Sequence, residues 1–252
     1  MKLIIAFFMA WGNFITLPCP YKRWDNDLKN LMLAFLPSVG LVVGALWTLL
    51  YWVLDMLGIP VFLSALAMEL FIFYVCGFMH MDGFMDCNDA IMSRRDLAER
   101  QRILKDSTVG AFAVLTAIFL ILGWFAALTS VFDHLSYGIL LIIPVVSRAV
   151  GGLSVLYYKP IGHSQYVKDY QVPSRWKYRL VVAVQVVLIL AVAILISHET
   201  VNIFMVAAVM AAAGFTACAY ARKQLGGMSG DVAGYTICVS EIAGIVTAAV
   251  IL

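Results

Sequence analysis

Apolar runs near residues 31–54, 59–79, 109–128, 136–157, 178–197, 201–220 and 232–252 take up most of this chain. A helix of about 20 apolar residues is what a bilayer's hydrocarbon core requires, so each run is long enough to cross one. With 63% hydrophobic and 13% charged residues and a mean hydropathy of +0.94, the chain lies outside the range of soluble domains. The fold class read from this pattern is all-α: a polytopic integral membrane helical bundle of about seven transmembrane helices, in a single membrane-embedded domain over residues 1–252.

The first run, 3–17, is short for a span and ends in Pro18, Cys19 and Pro20, so it reads as an interfacial or re-entrant helix. It lacks the small-residue cleavage pattern of a signal peptide. The basic residues set the orientation. Of 17 Lys and Arg, 16 fall at the N-terminus or in segments 18–30, 80–108, 158–179 and 221–230, while the three intervening loops have none. Cytoplasmic loops hold such residues, which predicts that these four segments face the cytoplasm and the C-terminus lies outside. The net charge of +2 carries little information, and nucleic acid is not an expected partner. Five cysteines without CxxC spacing suggest neither zinc nor a disulfide framework, and Cys87 among carboxylates is a poor nucleophile. No internal repeat is visible, which disfavours transporters built from inverted repeats.

Charge is concentrated in HMDGFMDCNDAIMSRRDLAERQRILKDSTVG, residues 80–110. If 79–92 is helical, steps of about 100° put Asp86 roughly 40° from Asp82 and Asp89 roughly 20° to the other side. Three carboxylates on one narrow face repel one another, and a cation relieves that cost. Hard oxygen ligands without His or Cys pairing point to Mg²⁺, with Mn²⁺ as its substitute, and Mg²⁺ completes its shell with water and phosphate oxygens. A solvated polar helix face is the plain alternative. His80 sits about 160° round from Asp82 and reads as a packing residue.

Arg148 lies inside an apolar run, where a charge calls for a carboxylate or a phosphate; Glu69 and Glu241 are also intramembrane, and either pairs with it or stays protonated. Gly226, Gly227 and Gly230 bracket Ser229 and Asp231 at the start of the last run. Such backbone binds phosphate at a helix N-terminus, with Lys223 alongside, although Asp231 equally serves as an N-cap.

CGFMHMDGFMDCNDAIMSRRD followed by KDSTVGAFAV resembles the cobalamin synthase family, the adenosylcobinamide-GDP ribazoletransferases, whose stretch reads GGLHLDGLADTADGL and then KDSRIGAFGV. FITLPCP, LAFLPSVGLVVG, VSRA and QLGGMSGDVAG resemble further family segments in the same order, so the likeness runs from about residue 8 to about residue 244. The chain departs from the pattern at Leu17 and Thr108, where the family has Arg, and at Ala90, where it has Gly. DCNDAIMSR is more faintly similar to the opening of the CDP-alcohol phosphatidyltransferases, whose later Gly and Asp positions do not fit.

The resemblance implies transfer of the cobinamide phosphate of adenosylcobinamide-GDP to α-ribazole or its 5′-phosphate, with release of GMP. This is the nucleotide-loop assembly step of cobalamin biosynthesis, set in the cytoplasmic (inner) membrane with the site facing the cytoplasm. Asp82, Asp86, Asp89 and Asp106 are the expected catalytic and metal residues. Arg94, Lys105, Ser107, Arg148, Lys223, Gly226, Gly227 and Asp231 are expected to bind substrate. One aspartate serves as base, with Asp89 preferred. Partners would be these two substrates and the bilayer, with a homo-oligomer or a complex with other cobalamin-pathway enzymes also in view. The alternatives are a CDP-alcohol phosphotransferase of phospholipid synthesis and an ion-coupled transporter using Glu69, Arg148 and Glu241.

Overall fold

A computed structural model describes residues 1–162 and 175–252; Lys168 of the basic segment 158–179 lies outside them. The described residues form helices and no strand, apart from an isolated bridge between Pro160 and Met228. Helix α1 (Lys2–Phe14) has 13 residues, about 20 Å, too short to span. It buries Ile5, Ala6, Met9 and Ala10 and leaves Leu3 and Ile4 exposed, as an amphipathic helix lying against the bundle does. Just after it, the Thr16 amide donates to Val75 O at 2.8 Å.

The short α2 (Lys29–Ala34) leads into α3 (Leu36–Met56), where Pro37 occupies the first turn, the position that needs no amide donor. Helix α8 (Tyr137–Tyr157) is the centre of the molecule, with 94% of its apolar window buried. Helix α3 packs directly on it because Gly44 has no side chain: a Cβ there would lie 2.6 Å from Leu141 O.

Helices α7 (Ala111–Val131), α9 (Arg175–Ser197), α10 (Thr200–Leu225) and α11 (Gly230–Ile251) complete the long elements. Among the described residues six helices, α3 and α7 to α11, are long and apolar enough to cross a membrane, and a bent pair brings the number to seven if it is counted as one span. Only 17% of the α9 window is buried. That helix is held to the bundle by Gln185, which donates to Ala34 O at 2.7 Å and accepts from the Ser38 hydroxyl.

The bent pair corrects the sequence reading. The run 59–79 is not one continuous span: α4 (Val61–Val75) stops, and α5 (Met79–Met92) leaves at 86° to it. Between them Gly77 and Phe78 both adopt left-handed backbone, φ 60° and 56°, which ends a right-handed helix. The break lies deep in the bundle. Cys76 Sγ is 2.9 Å from Arg148 Nη2 near the middle of α8, and Arg148 Nη1 is 2.6 Å from Glu241 near the middle of α11. The acidic helix is therefore the second half of a bent pair, starting among these buried groups. The remaining short helix, α6 (Leu97–Ile103), is capped by Asp96, which accepts from the Glu99 amide at 2.9 Å.

Candidate active site on the acidic half-helix

Helix α5 divides its two faces as the spacing predicts. Gly83, Phe84, Cys87 and Ala90 are buried, while Asp82 is exposed and Asp86 and Asp89 are half-buried. The buried face fits closely against α11. A Cβ on Gly83 would come within 2.8 Å of Asp231 Cα, one on Gly234 within 3.0 Å of His80 O, and the Phe84 ring stacks on Tyr235 at 5.6 Å. This contact brings Asp231 beside the α5 carboxylates. Asp82, Asp231 and Asp89 all lie close enough to Asp86 for their charges to act on it.

Asp89 lies directly against Gly110, the residue before α7, where any Cβ would collide with its carboxylate. The N-terminus of a helix favours a negative group, so glycine at 110 lets Asp89 approach a site that suits it. Asp89 and Asp106 line one hollow with Arg95 and Thr108. Asp106 accepts from the Thr108 hydroxyl at 2.7 Å and amide at 3.0 Å, and Arg102 stands 3.8 Å away. The Thr108 hydrogen bonds, with Arg102 adding to them, hold the Asp106 carboxyl below the usual carboxylate range.

The basic residues are spread over separate exposed surfaces. Lys105 is exposed beside Arg102 and Asp106, Ser107 and Lys223 are exposed, and Arg94 lines a separate groove with Arg100 and Tyr220. Arg148 stands apart from these exposed residues. It is 1% exposed, paired with Glu241 at 2.6 Å and bonded to Pro144 O and Ser147 Oγ. Of the two readings for Arg148, a carboxylate partner is the one observed. Glu69, the other intramembrane acid, is buried with neither carboxyl oxygen hydrogen-bonded among the described residues.

Gly226 and Gly227 serve the backbone. Gly226 closes α10 at φ 83° against Leu97 and Gln101, and Gly227 packs on Pro160 and Ile161. Ser229 caps α11 by accepting from the Val232 amide, and its hydroxyl lies 3.2 Å from Asp231 Oδ2. Sequence reasoning did not find a cavity of about 210 Å³ beneath Asp82 and Asp231, into which Asn13 and His80 also face. No periodicity or motif marks it, because it forms only where five separate segments meet.

Among the described residues, no group of three or more His, Cys, Asp or Glu side chains is arranged to hold a metal ion. The donor chemistry nonetheless fits a hard divalent cation. Asp82, Asp86 and Asp89 offer only oxygens, and none forms an ion pair among the described residues. Holding a cation would take side-chain rotation on a helix that is already positioned.

The fold and site thus define a polytopic helical membrane protein with a carboxylate cluster on a bent helix pair. The chain belongs to the cobalamin-5-phosphate synthase family, which it matches over residues 6–249. It is 35% identical over 246 residues to the adenosylcobinamide-GDP ribazoletransferase of Clostridium perfringens (strain 13 / Type A), covering 96% of each chain. The protein so named in Clostridium botulinum (strain Alaska E43 / Type E3) is 33% identical, covering 98% of each chain. That of Geobacillus kaustophilus (strain HTA426) is 32% identical, covering 91% of this chain and 89% of its own. No solved structure matches the chain.

Proposed function

We propose that this protein is a ribazoletransferase that joins the cobinamide phosphate of adenosylcobinamide-GDP to a ribose hydroxyl of α-ribazole or its 5′-phosphate. The bond between that phosphate and GMP breaks, a phosphorus–oxygen bond to the ribose forms, GMP leaves, and the hydroxyl proton passes to a carboxylate. The observation that carries this reading is the family match over residues 6–249.

Asp86 and Asp89 would hold Mg²⁺ or Mn²⁺, with Asp82, Asp106 and Asp231 beside them. Such a cation, when bound, neutralises charge on the diphosphate oxygens. Lys105, Arg94 and Lys223, with Ser107, are exposed and suited by their chemistry to meet the anionic guanosine diphosphate as it arrives and leaves. Arg148, tied to Glu241 far inside, supports the bundle instead of the substrate, and Gly226 and Gly227 shape the turn into α11. For the base, we favour Asp82 over Asp89: Asp89 is held against the α7 terminus, whereas Asp82 is exposed at the mouth of the cavity. The distribution of Lys and Arg supports a cytoplasmic (inner) membrane location with the site facing the cytoplasm.

The test is product formation by the purified protein in detergent with Mg²⁺ and α-ribazole. Adenosylcobinamide-GDP should yield GMP and a cobalamin product, and CDP-linked alcohols should yield no CMP. CMP without GMP would transfer the protein to the CDP-alcohol class.

A further inference from the structure

Resting on the ribazoletransferase reading, we propose that the cavity beneath Asp82 and Asp231 is the subsite for the heterocyclic base of the acceptor nucleoside. At about 210 Å³ it is smaller than the roughly 300–1,000 Å³ of pockets that take a whole ligand, so it receives one part of a substrate. A corrin is far too large for it. Its lining contains no Lys or Arg, and two carboxylates stand at its mouth, so it repels phosphate.

What remains is a neutral ring whose attached sugar carries hydroxyl donors. The apolar part of the lining is Leu33 and Leu36 before and at the start of α3, Val155 of α8 and Ile237 of α11, all buried, whose side chains offer an aromatic ring contact and no hydrogen bond. Guanine would bury several polar edge atoms there without partners, at a cost of about 1–3 kcal/mol for each group. In a benzimidazole riboside one ring nitrogen carries the sugar and only the other is free to accept a hydrogen bond, and His80, 8% exposed in the wall, and the Asn13 amide are polar groups available to meet it. With the base so seated, the ribose lies at the mouth between Asp82 and Asp231, where a hydroxyl can give up its proton. The arrangement also gives α1 a task, since Asn13 and Phe14 at its end close one side of the cavity.

The test is equilibrium dialysis of radiolabelled α-ribazole against the full-length protein, its Ala233→Leu variant and its Val155→Ala variant, with donor KM measured in parallel. Ala233 lines the cavity outside the carboxylate cluster, and a leucine there fills it. The parent should bind α-ribazole, and Ala233→Leu should weaken that binding roughly tenfold or more while donor KM stays unchanged. The riboside of benzimidazole without its methyl groups should lose less. If Ala233→Leu does not fold, Val155→Ala carries the test, and ribosides of bulkier bases should bind it at least as well as α-ribazole does. No α-ribazole binding by the parent, binding by folded Ala233→Leu equal to the parent's, weaker binding of the bulkier ribosides than of α-ribazole by Val155→Ala, or a rise in donor KM instead would overturn the proposal. Release of GMP by the parent decides the ribazoletransferase reading separately, since the binding constants are obtained without turnover.

Discussion

Gly110 is the residue on which the geometry of the acidic cluster most visibly depends, because the Asp89 carboxylate occupies the space of its missing side chain. Gly110→Ala must displace Asp89 or the start of α7, and displacement of about 1 Å near reacting groups costs on the order of 10²-fold in rate. We predict such a fall in turnover with expression and melting temperature nearly unchanged. Arg148 and Glu241 make the opposite case. They are 1% and 3% exposed, so Glu241→Ala leaves an uncompensated buried charge and should cost about 3–5 kcal/mol, seen in detergent melts. Replacing both, Arg148→Met with Glu241→Leu, should recover most of that loss. Asp106 gives the pH test. Its carboxyl titrates below its unfolded value, so the Thr108 contacts stabilise the fold above the ordinary carboxylate range and are lost as pH falls through the lowered value. Thr108→Val should flatten that acid-side loss in melts taken between neutral and strongly acidic pH. The aspartates of α5 were legible as one face from their spacing. The partner of Arg148 was left between a phosphate and one of two glutamates, and Arg148 was expected to bind substrate, because spacing along one helix says nothing about which neighbouring helix it faces.

At the scale of elements, the bent pair is the feature that the sequence concealed. Residues 59–79 carry no charge except Glu69, so composition reads as one crossing, and the break rests on two left-handed residues, one of them a phenylalanine. Gly77 is the only conventional signal of the pair. With φ at 60° and Thr16 Cγ2 3.1 Å from where a Cβ would stand, Gly77→Ala should destabilise the protein by about 1–2 kcal/mol. The same substitution should lower turnover, because the break sets the direction in which α5 leaves the core. The contact of α5 with α11 was likewise hidden. Gly83 and Gly234 mark it, yet isolated glycines in apolar runs have many causes, and only their mutual fit identifies this one.

At the scale of the whole molecule, the long helices followed from hydropathy, since seven apolar runs became six long helices and one bent pair. The orientation follows from the basic residues alone and is open to direct test. An alkaline phosphatase fused after Leu252 should be active, and one fused at Lys159 inactive; the reverse pattern would place the acidic face on the other side. The cavity was illegible because it belongs to no element, being enclosed by α1, the α2–α3 junction, α5, α8 and α11 together. The central claim is that the open face of α5 is where the phosphoryl group is transferred. Its most direct measurement is GMP release from adenosylcobinamide-GDP by the parent, Asp82→Ala and Asp86→Ala proteins, each with Mg²⁺ and with chelator. The account predicts release by the parent that needs the metal and is lost in both variants while their melting temperatures hold. Undiminished GMP release from folded Asp86→Ala protein would contradict it.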